Sequence, residues 1–146
     1  MTIQDCARFA NENPGCYMAT ADGDQPRVRA MAVWFADDTG FYFHSGAMKA
    51  VCRQLRANPR IEVCFWKPSA EQADPGTTLR VAGRVEFLND TALNARLLQE
   101  RPFLKEIGVT GPDDPKLAVF RIAHGEAHFW TMANNMREAE AERVRF

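Results

Sequence analysis

Two hairpin patterns in the first third of the chain limit the folds that this sequence can adopt. In the first, the apolar run 16–21 is followed by the turn sequence Asp-Gly-Asp and by a strand predicted to begin at Pro26. In the second, that strand, predicted over 26–37, is followed by a Thr-Gly turn and the aromatic run 41–43. β-Branched and aromatic runs joined by such short turns are typical of hairpins, so we predict three consecutive antiparallel strands.

Three helices are predicted from apolar residues at helical spacing behind capping residues. Thr2 is the predicted N-cap of the first helix, Ser45 of the second and Asp90 of the third. Val51 and Leu55 give the second helix an apolar stripe. The helices are expected over residues 3–11, 47–57 and 91–101, with a further helical turn over 103–107 and a loop over 108–115.

The second half of the chain adds longer strands. Gly83, inside the longest of them, indicates a bulge or a sharp bend where the sheet curls. His124-Gly125 is either a turn between two strands or a bulge within a single long strand. The polar tail is predicted to be a short helix or a frayed end from which Val144 and Phe146 dock. The strands of this half are expected over residues 61–66, 78–88, 117–122 and 127–132.

The order of these elements predicts a mostly β fold with peripheral helices. Six or seven short strands with hairpin connections favour an antiparallel, Greek-key-like barrel, whose closure hides the strand edges. Periodicity alone leaves an open α+β sheet as the alternative. A length of 146 residues is typical of one domain, so we predict a single domain over residues 1–146.

Composition argues against several classes of partner. Lys and Arg are scattered among similar numbers of Asp and Glu and the net charge is −1, so nucleic acid is not an expected partner. No apolar run approaches the ~20 residues that cross a bilayer, and the N-terminus does not resemble a signal peptide. We therefore expect a cytoplasmic protein without membrane contact. The cysteines, expected to be reduced and mostly buried, are Cys6, Cys16, Cys52 and Cys64.

Basic and hydroxyl side chains are predicted to meet beside the second hairpin. Arg29 lies on one strand, His44 and Ser45 end another, and Lys49 lies near the start of the second helix. A helix N-terminus offers unpaired N–H groups and a partial positive charge, to which these cations add full charges. The arrangement predicts a site for a dianionic phosphate. The alternative is an ordinary capped helix with solvated basic residues.

The order of these motifs resembles a known family. The strand CYMATA, the turn DGD and the strand PRVRAMAVWF are followed by FYFHSGAMKA and later by LRVAGRVEFL. This succession is similar to the FMN-binding split β-barrel family, which includes pyridoxamine 5′-phosphate oxidase, nitroimidazole reductases and general stress proteins. The resemblance covers residues 15–88 well and the C-terminal third loosely.

The resemblance implies a homodimer with FMN at the subunit interface. The strand Arg and the helix Lys contact the phosphate in that family, and the strand backbone meets the polar edge of the ring. The implied contacts from one subunit are Arg29, Ala30, Met31, Ala32, Val33, Trp34, Phe43, His44, Ser45, Met48 and Lys49. The second subunit would contribute Thr78 or Arg80. The last strand would bring Trp130 near the flavin, unless that residue is a core or interface tryptophan.

The sequence departs from the oxidase pattern in three places. Met48 and Trp34 stand where the oxidase has basic residues, which predicts modest FMN affinity unless Arg27 or His44 compensates. The C-terminus lacks the Trp-Arg and Arg-x-His segment that grips pyridoxal phosphate, so oxidation of pyridoxamine phosphate is not expected.

The expected activity is transfer of hydride or electrons from NAD(P)H to a small acceptor of the nitroaromatic or quinone type. One alternative is a non-catalytic flavin-binding stress or redox-sensing protein, and another is the same fold holding heme or a deazaflavin. His44 is the candidate catalytic residue, with a backbone-bonded histidine as the other interpretation. No metal site is expected, because His124 and His128 lack a third ligand. Paired acids such as Asp113-Asp114 are expected to be solvated in turns.

Overall fold

Strand alternation and capping account for the elements of the computed structural model, which describes all 146 residues. The strands are β1 (Gly15–Asp22), β2 (Gln25–Ala32), β3 (Phe35–Asp37), β4 (Gly40–Gly46), β5 (Arg60–Lys67), β6 (Thr77–Leu88), β7 (Leu117–Trp130) and β8 (Arg143–Arg145). The helices are α1 (Ile3–Glu12), α2 (Ala50–Ala57), α3 (Thr91–Glu100) and α4 (Phe103–Glu106), with 3₁₀ turns at Met132–Asn134 and Glu138–Glu140. Thr2 and Asp90 cap α1 and α3, as predicted.

The strands form one antiparallel sheet in the order β2-β1-β5-β6-β7-β4-β3, with β8 on β7. Its two end strands, β2 and β3, are joined by Val33 and Trp34. The Val33 N–H donates to the Pro14 carbonyl beside β1, whereas the Trp34 N–H donates to the Tyr42 carbonyl on β4. One short segment therefore touches both ends of the sheet, which curls into the predicted split β-barrel.

The single strand predicted over 26–37 is wrong, because the chain changes sides after β2. Two consecutive side chains are buried there: Val33 is 1% exposed in the main core and Trp34 is 8% exposed in a second cluster. Trp34 and Phe35, also consecutive, both pack in that second cluster, whereas a regular strand sends consecutive side chains to opposite faces. The sequence therefore splits into β2, which pairs with β1, and β3, which pairs with β4.

The predicted N-cap at Ser45 is also wrong. Pairing of β4 with β7 continues to Gly46 opposite Leu117, so Ser45 is a buried strand residue. The helix begins at Ala50, later than predicted, and its N-cap is Lys49, whose side chain makes no capping hydrogen bond. Cross-strand hydrogen bonds thus extend the strand past the point where local sequence favours a turn.

The last two predicted strands are one strand, β7, with a bulge. Ala123 has no partner between the paired positions of β6 and β7. Beyond the bulge Gly83 faces Gly125, and a Cβ on Gly125 would lie 2.2 Å from the Ala82 carbonyl oxygen. Glycine at this pair permits the close approach of the two backbones, as the bend predicted at Gly83 requires.

Two apolar clusters hold the fold together. The main one fills the barrel and contains 22 buried residues, among them Phe43 and Phe120, which stack on each other. The second packs α3 and α4 on the outside of the sheet through Leu97, Leu98 and Leu104. The apolar residues predicted at helical spacing in this helix thus face inward.

The C-terminal tail is neither a plain helix nor a frayed end. After two 3₁₀ turns, β8 pairs with β7, and Phe146 exchanges two backbone hydrogen bonds with Gly125. The Phe146 ring packs on Phe41, 5.6 Å between centroids, which confirms its predicted docking.

The four cysteines are free thiols, and three of them are buried. Burial raises the pKa of Cys16 to about 12 and that of Cys6 to about 11, so both thiols stay protonated and unreactive. No helix has the length and apolar character needed to cross a bilayer.

Candidate functional site

A cavity of about 460 Å³ opens between the ends of β2 and β4, and α4 closes its far side. This volume lies in the range of small-molecule and cofactor sites. More than half of its lining residues are apolar. Six residues predicted for the site line this cavity: Met31, Ala32, His44, Ser45, Met48 and Lys49.

The opposite wall was not anticipated from the sequence. It comes from the end of α3, from α4 and from the loop before β7, and its main residues are Arg101, Phe103, Leu104, Ile107, Val109 and Lys116. One local signal was present, since four apolar residues fall within a short segment predicted to be a helical turn and a loop. Only the tertiary fold shows that this segment faces His44.

The charged groups of the cavity are all basic. Lys49, Arg101 and Lys116 line it, and no carboxylate does. Lys116 is paired, with its Nζ 3.3 Å from Asp114. Lys49 and Arg101 have no ion-pair partner, so the cavity carries uncompensated positive charge.

Asp114 fixes the loop that carries Lys116. Its carboxylate accepts hydrogen bonds from the backbone N–H groups of Lys116 and Thr110 and from the Thr110 hydroxyl. These bonds, from the Lys116 N–H first, lower the pKa of Asp114 to about 2. The prediction of a solvated turn acid is therefore wrong for Asp114, which is buried.

His44 is neutral at physiological pH. Burial, and then the charges of Arg101 and Lys49, lower the pKa of its imidazole from 6.5 to about 4. It can therefore offer a hydrogen bond to a ligand, but it is not a charged donor in the ligand-free protein.

Backbone groups are available on the free edge of β2. This strand ends the sheet, and Val33 is hydrogen bonded toward β1. Because antiparallel pairs alternate, the N–H and C=O groups of Ala30 and Ala32 point away from β1. Ala32 also lines the cavity, so unpaired backbone donors and acceptors lie at its rim.

Arg29 reaches from β2 toward α2 rather than into the cavity lining. Its Nη1 donates to the Thr20 hydroxyl at 2.7 Å and to the Met18 carbonyl at 3.2 Å, and its Nη2 donates to Gln54 Oε1 at 2.6 Å. Burial, and then the nearby Arg27, lower the pKa of Arg29. All of its partners are neutral.

Three predicted residues have side chains that face away from the cavity. Val33 and Phe43 belong to the main core. Trp34 is buried in the second cluster, where its Nε1 donates to Glu100 at 3.2 Å. None of the three lines the cavity, and the backbone N–H groups of Val33 and Trp34 are already hydrogen bonded within the protein.

Comparison with known proteins shows the family to which this chain belongs. Residues 3–131 match the family described as pyridoxamine 5′-phosphate oxidase. The chain belongs to this family. A pyridoxine/pyridoxamine 5′-phosphate oxidase of Anaeromyxobacter dehalogenans is 36% identical over 92 residues, which are 62% of this chain and 43% of that protein. The matched part thus spans less than half of the relative's length.

Solved structures of other proteins share the fold. A NimC/NimA family protein of Clostridium acetobutylicum superposes with a TM-score of 0.78 at 24% identity, covering 99% of this chain and 93% of that one. An FAD-binding protein of Mesorhizobium loti gives a TM-score of 0.67 at 21% identity, covering 86% and 91%. The resemblance deduced from the sequence motifs is confirmed.

The residues that this family would supply from a second subunit lie on the outer face of the sheet. Thr78 pairs with Trp130, and Arg80 pairs with His128, on β6 and β7. Arg80 is bound by two carboxylates, with 2.6 Å to both Glu62 and Glu138. None of these side chains lines the cavity of its own chain, so their role in the site stays a prediction.

The two residues predicted to compensate for the missing family cations add no charge to the cavity lining. Arg27 shares the Asp22 carboxylate with Arg53, each at 3.4 Å, and does not line the cavity, and His44 is neutral. Arg101 lines the cavity without a carboxylate partner, on the wall that was not assigned from the sequence.

The residues present fit a flavin nucleotide. Free cations suit its phosphate, the unpaired edge of β2 suits the polar edge of its ring, and an apolar wall suits its aromatic faces. Three apolar side chains are also exposed at the mouth of the cavity: Met48, Phe103 and Ile107. No group of three or more His, Cys, Asp or Glu side chains is arranged to hold a metal ion.

Proposed function

We propose that this protein is an FMN-binding flavoprotein that transfers hydride or electrons from NAD(P)H to a small acceptor of the nitroaromatic or quinone type. The observation that carries the proposal is the mostly apolar cavity whose charged groups are all basic, two of them without a carboxylate partner. Such a cavity suits a planar ligand with an anionic end.

Each part of the site has a stated role in this proposal. Arg29 and Lys49 neutralise the phosphate, and Arg101 adds a third positive charge. The backbone of Ala30 and Ala32 hydrogen bonds to the ring, and Phe103 with its apolar neighbours excludes water from it. A bound flavin supplies the redox chemistry, which the side chains here could not perform alone.

A homodimer completes the proposed site. Tyr17, Val28 and Trp66 are large apolar side chains exposed on or beside the outer face of β1, β2 and β5. Exposed apolar area of this kind marks interaction surfaces. A second copy docked there would bring its Thr78 or Arg80, and its Trp130, to the flavin.

The test is reconstitution of the purified protein with FMN, followed by desalting and visible spectroscopy. A retained flavin spectrum and oxidation of NADH or NADPH that depends on a nitroaromatic or quinone would support the proposal. Loss of all flavin on desalting, or a spectrum of heme or of a deazaflavin in the protein as purified, would contradict it. Pyridoxamine 5′-phosphate is the control substrate, and we expect no turnover with it.

One observation favours a second function, a flavin-binding stress or redox-sensing protein without a fixed substrate. No carboxylate lines the cavity, and His44, with its pKa lowered to about 4, is not a proton donor at neutral pH. Tight FMN binding with negligible NAD(P)H oxidation for every acceptor would select this function.

A further inference from the structure

Arg29 is held by a buried network that contains no negative charge. Thr20 and Gln54, which accept hydrogen bonds from its guanidinium, are only 5% and 4% exposed. The Thr20 hydroxyl also donates to Gln54 Oε1 at 2.6 Å. Gln54 Oε1 therefore accepts two hydrogen bonds, which fixes the orientation of its amide.

This network leaves part of the guanidinium free. Arginine has five N–H donors. Three bonds are made, two from Nη1 and one from Nη2, so the Nε–H and one Nη2–H have no acceptor in the protein. Nε and Nη2 form one side of the planar fork, the geometry that binds two oxygens of a phosphate.

The chemical type of the anchors matters as much as their geometry. A carboxylate in the place of the Gln54 amide would hold the guanidinium equally well, but it would cancel the charge that a phosphate needs. The neighbouring Arg27 has a carboxylate partner of this kind, Asp22, which it shares with Arg53, each at 3.4 Å. Neutral acceptors orient Arg29 and leave its charge uncompensated.

We propose that Gln54 and Thr20 are positioning residues for phosphate recognition: they hold the Arg29 guanidinium in place without neutralising it, so that its free side binds the phosphate of the flavin nucleotide. This inference rests on the proposed function and assigns roles to two residues that do not line the cavity. Gln54 lies five residues after Lys49, roughly 7.5 Å along the axis of α2. Gln54, which anchors Arg29, therefore lies on the helix that begins at Lys49, the other cation proposed to bind the phosphate.

The decisive comparison is between FMN and riboflavin, which differ only in the phosphate. Dissociation constants for both are measured by fluorescence quenching at fixed ionic strength, for the wild type and for Gln54→Glu. This variant keeps the shape and the acceptor but adds a negative charge beside Arg29. We expect FMN to bind about tenfold more weakly and riboflavin to bind unchanged. Gln4→Glu, at an exposed position on α1, makes the same chemical change elsewhere and should alter neither constant.

A second variant covers the case in which Gln54→Glu does not fold, as judged by circular dichroism. Thr20→Val removes a neutral anchor without changing charge, and we expect it to lower the preference for FMN over riboflavin about threefold. A wild-type protein that binds both flavins equally would overturn the proposed phosphate site itself. A clear preference for FMN that neither folded variant changes would overturn only the role of Gln54 and Thr20.

Discussion

Arg29 and Arg80 show two ways of holding a partly buried guanidinium, and both were predicted from the sequence to contact the cofactor. Arg29, beside α2, is bound by a hydroxyl, an amide and a backbone carbonyl. Arg80, on the outer face of β6, is bound by the carboxylates of Glu62 and Glu138 at 2.6 Å. The positive charge of Arg29 is therefore uncompensated, whereas that of Arg80 is balanced by its two carboxylates.

The pKa values follow the same division. Burial lowers the pKa of Arg29, with a further contribution from Arg27. Burial alone would also lower the pKa of Arg80, but the hydrogen bond and charge of Glu62 and the charge of Glu138 raise it. A cation with neutral partners is available to an incoming anion, whereas a cation between two carboxylates serves to hold the fold. Of the two residues predicted to reach a partner's flavin, the comparison therefore favours Thr78 over Arg80.

The largest predicted effect separates the two arginines directly. Arg29→Met should raise the dissociation constant of FMN about 30-fold, because a hydrogen bond to a charged group contributes about 1.5–3 kcal/mol. Arg80→Met should change it less than about threefold. Titration of both folded variants with FMN measures the difference, and equal losses would show that the comparison is wrong.

The next prediction concerns the pH dependence of stability that His44 causes, since its burial and the cations Arg101 and Lys49 lower its pKa. His44 has a pKa of about 4 in the fold against 6.5 ordinarily, so the unfolded chain takes up a proton first as the pH falls. The free energy of unfolding is therefore highest above pH 6.5, and it decreases as the pH falls from 6.5 toward 4. At pH 5.5 the loss should be about 1.4 kcal/mol.

His44→Gln removes this dependence and should flatten the melting temperature of flavin-free protein between pH 6.5 and 4. His124→Gln is the matched control, since its imidazole is 81% exposed. If the wild type and His44→Gln lost stability in parallel over this range, the imidazole would not feel the cavity cations.

A third prediction separates two cations within one cavity. Arg101 has no carboxylate partner, whereas Lys116 lies 3.3 Å from Asp114. Arg101→Met should weaken FMN binding about fivefold, and Lys116→Met less than about twofold. Arg101→Met should also raise the pKa of His44, which NMR titration measures, because Arg101 is one of the charges that lower it. A larger effect from Lys116 would reverse the assignment.

Local sequence was sufficient for the parts of the fold that local interactions determine. The capping residues Thr2 and Asp90 and the turn after β1 were read from short motifs, and the structure confirms them. The split between β2 and β3 was missed, because the local pattern does not reveal that the neighbours Trp34 and Phe35 pack in the same cluster. The strand end at Gly46 was missed because its pairing with Leu117 is distant in sequence.

The site was predictable on one side only. His44 and Lys49 lie in a contiguous motif, and the cavity brings them together as expected. Arg101 lies far along the chain, at the end of the third predicted helix, and its approach to His44 depends on the packing of α3 and α4. Gln54 was equally hidden, since a glutamine in a helix gives no sign that it accepts a hydrogen bond from β2.

The smallest predicted effect tests the paired region itself. Glu138→Gln and Glu62→Gln should each cost less than about 1 kcal/mol of stability, because both carboxylates are 40% exposed or more and either alone still pairs with Arg80. Removing both carboxylates leaves Arg80 with neutral partners only, the condition of Arg29. The loss in the double variant should therefore exceed the sum of the single losses, which a double-mutant cycle by urea denaturation measures. Strict additivity would mean that the two carboxylates do not share this guanidinium, and that Arg80 is not the structural counterpart of Arg29.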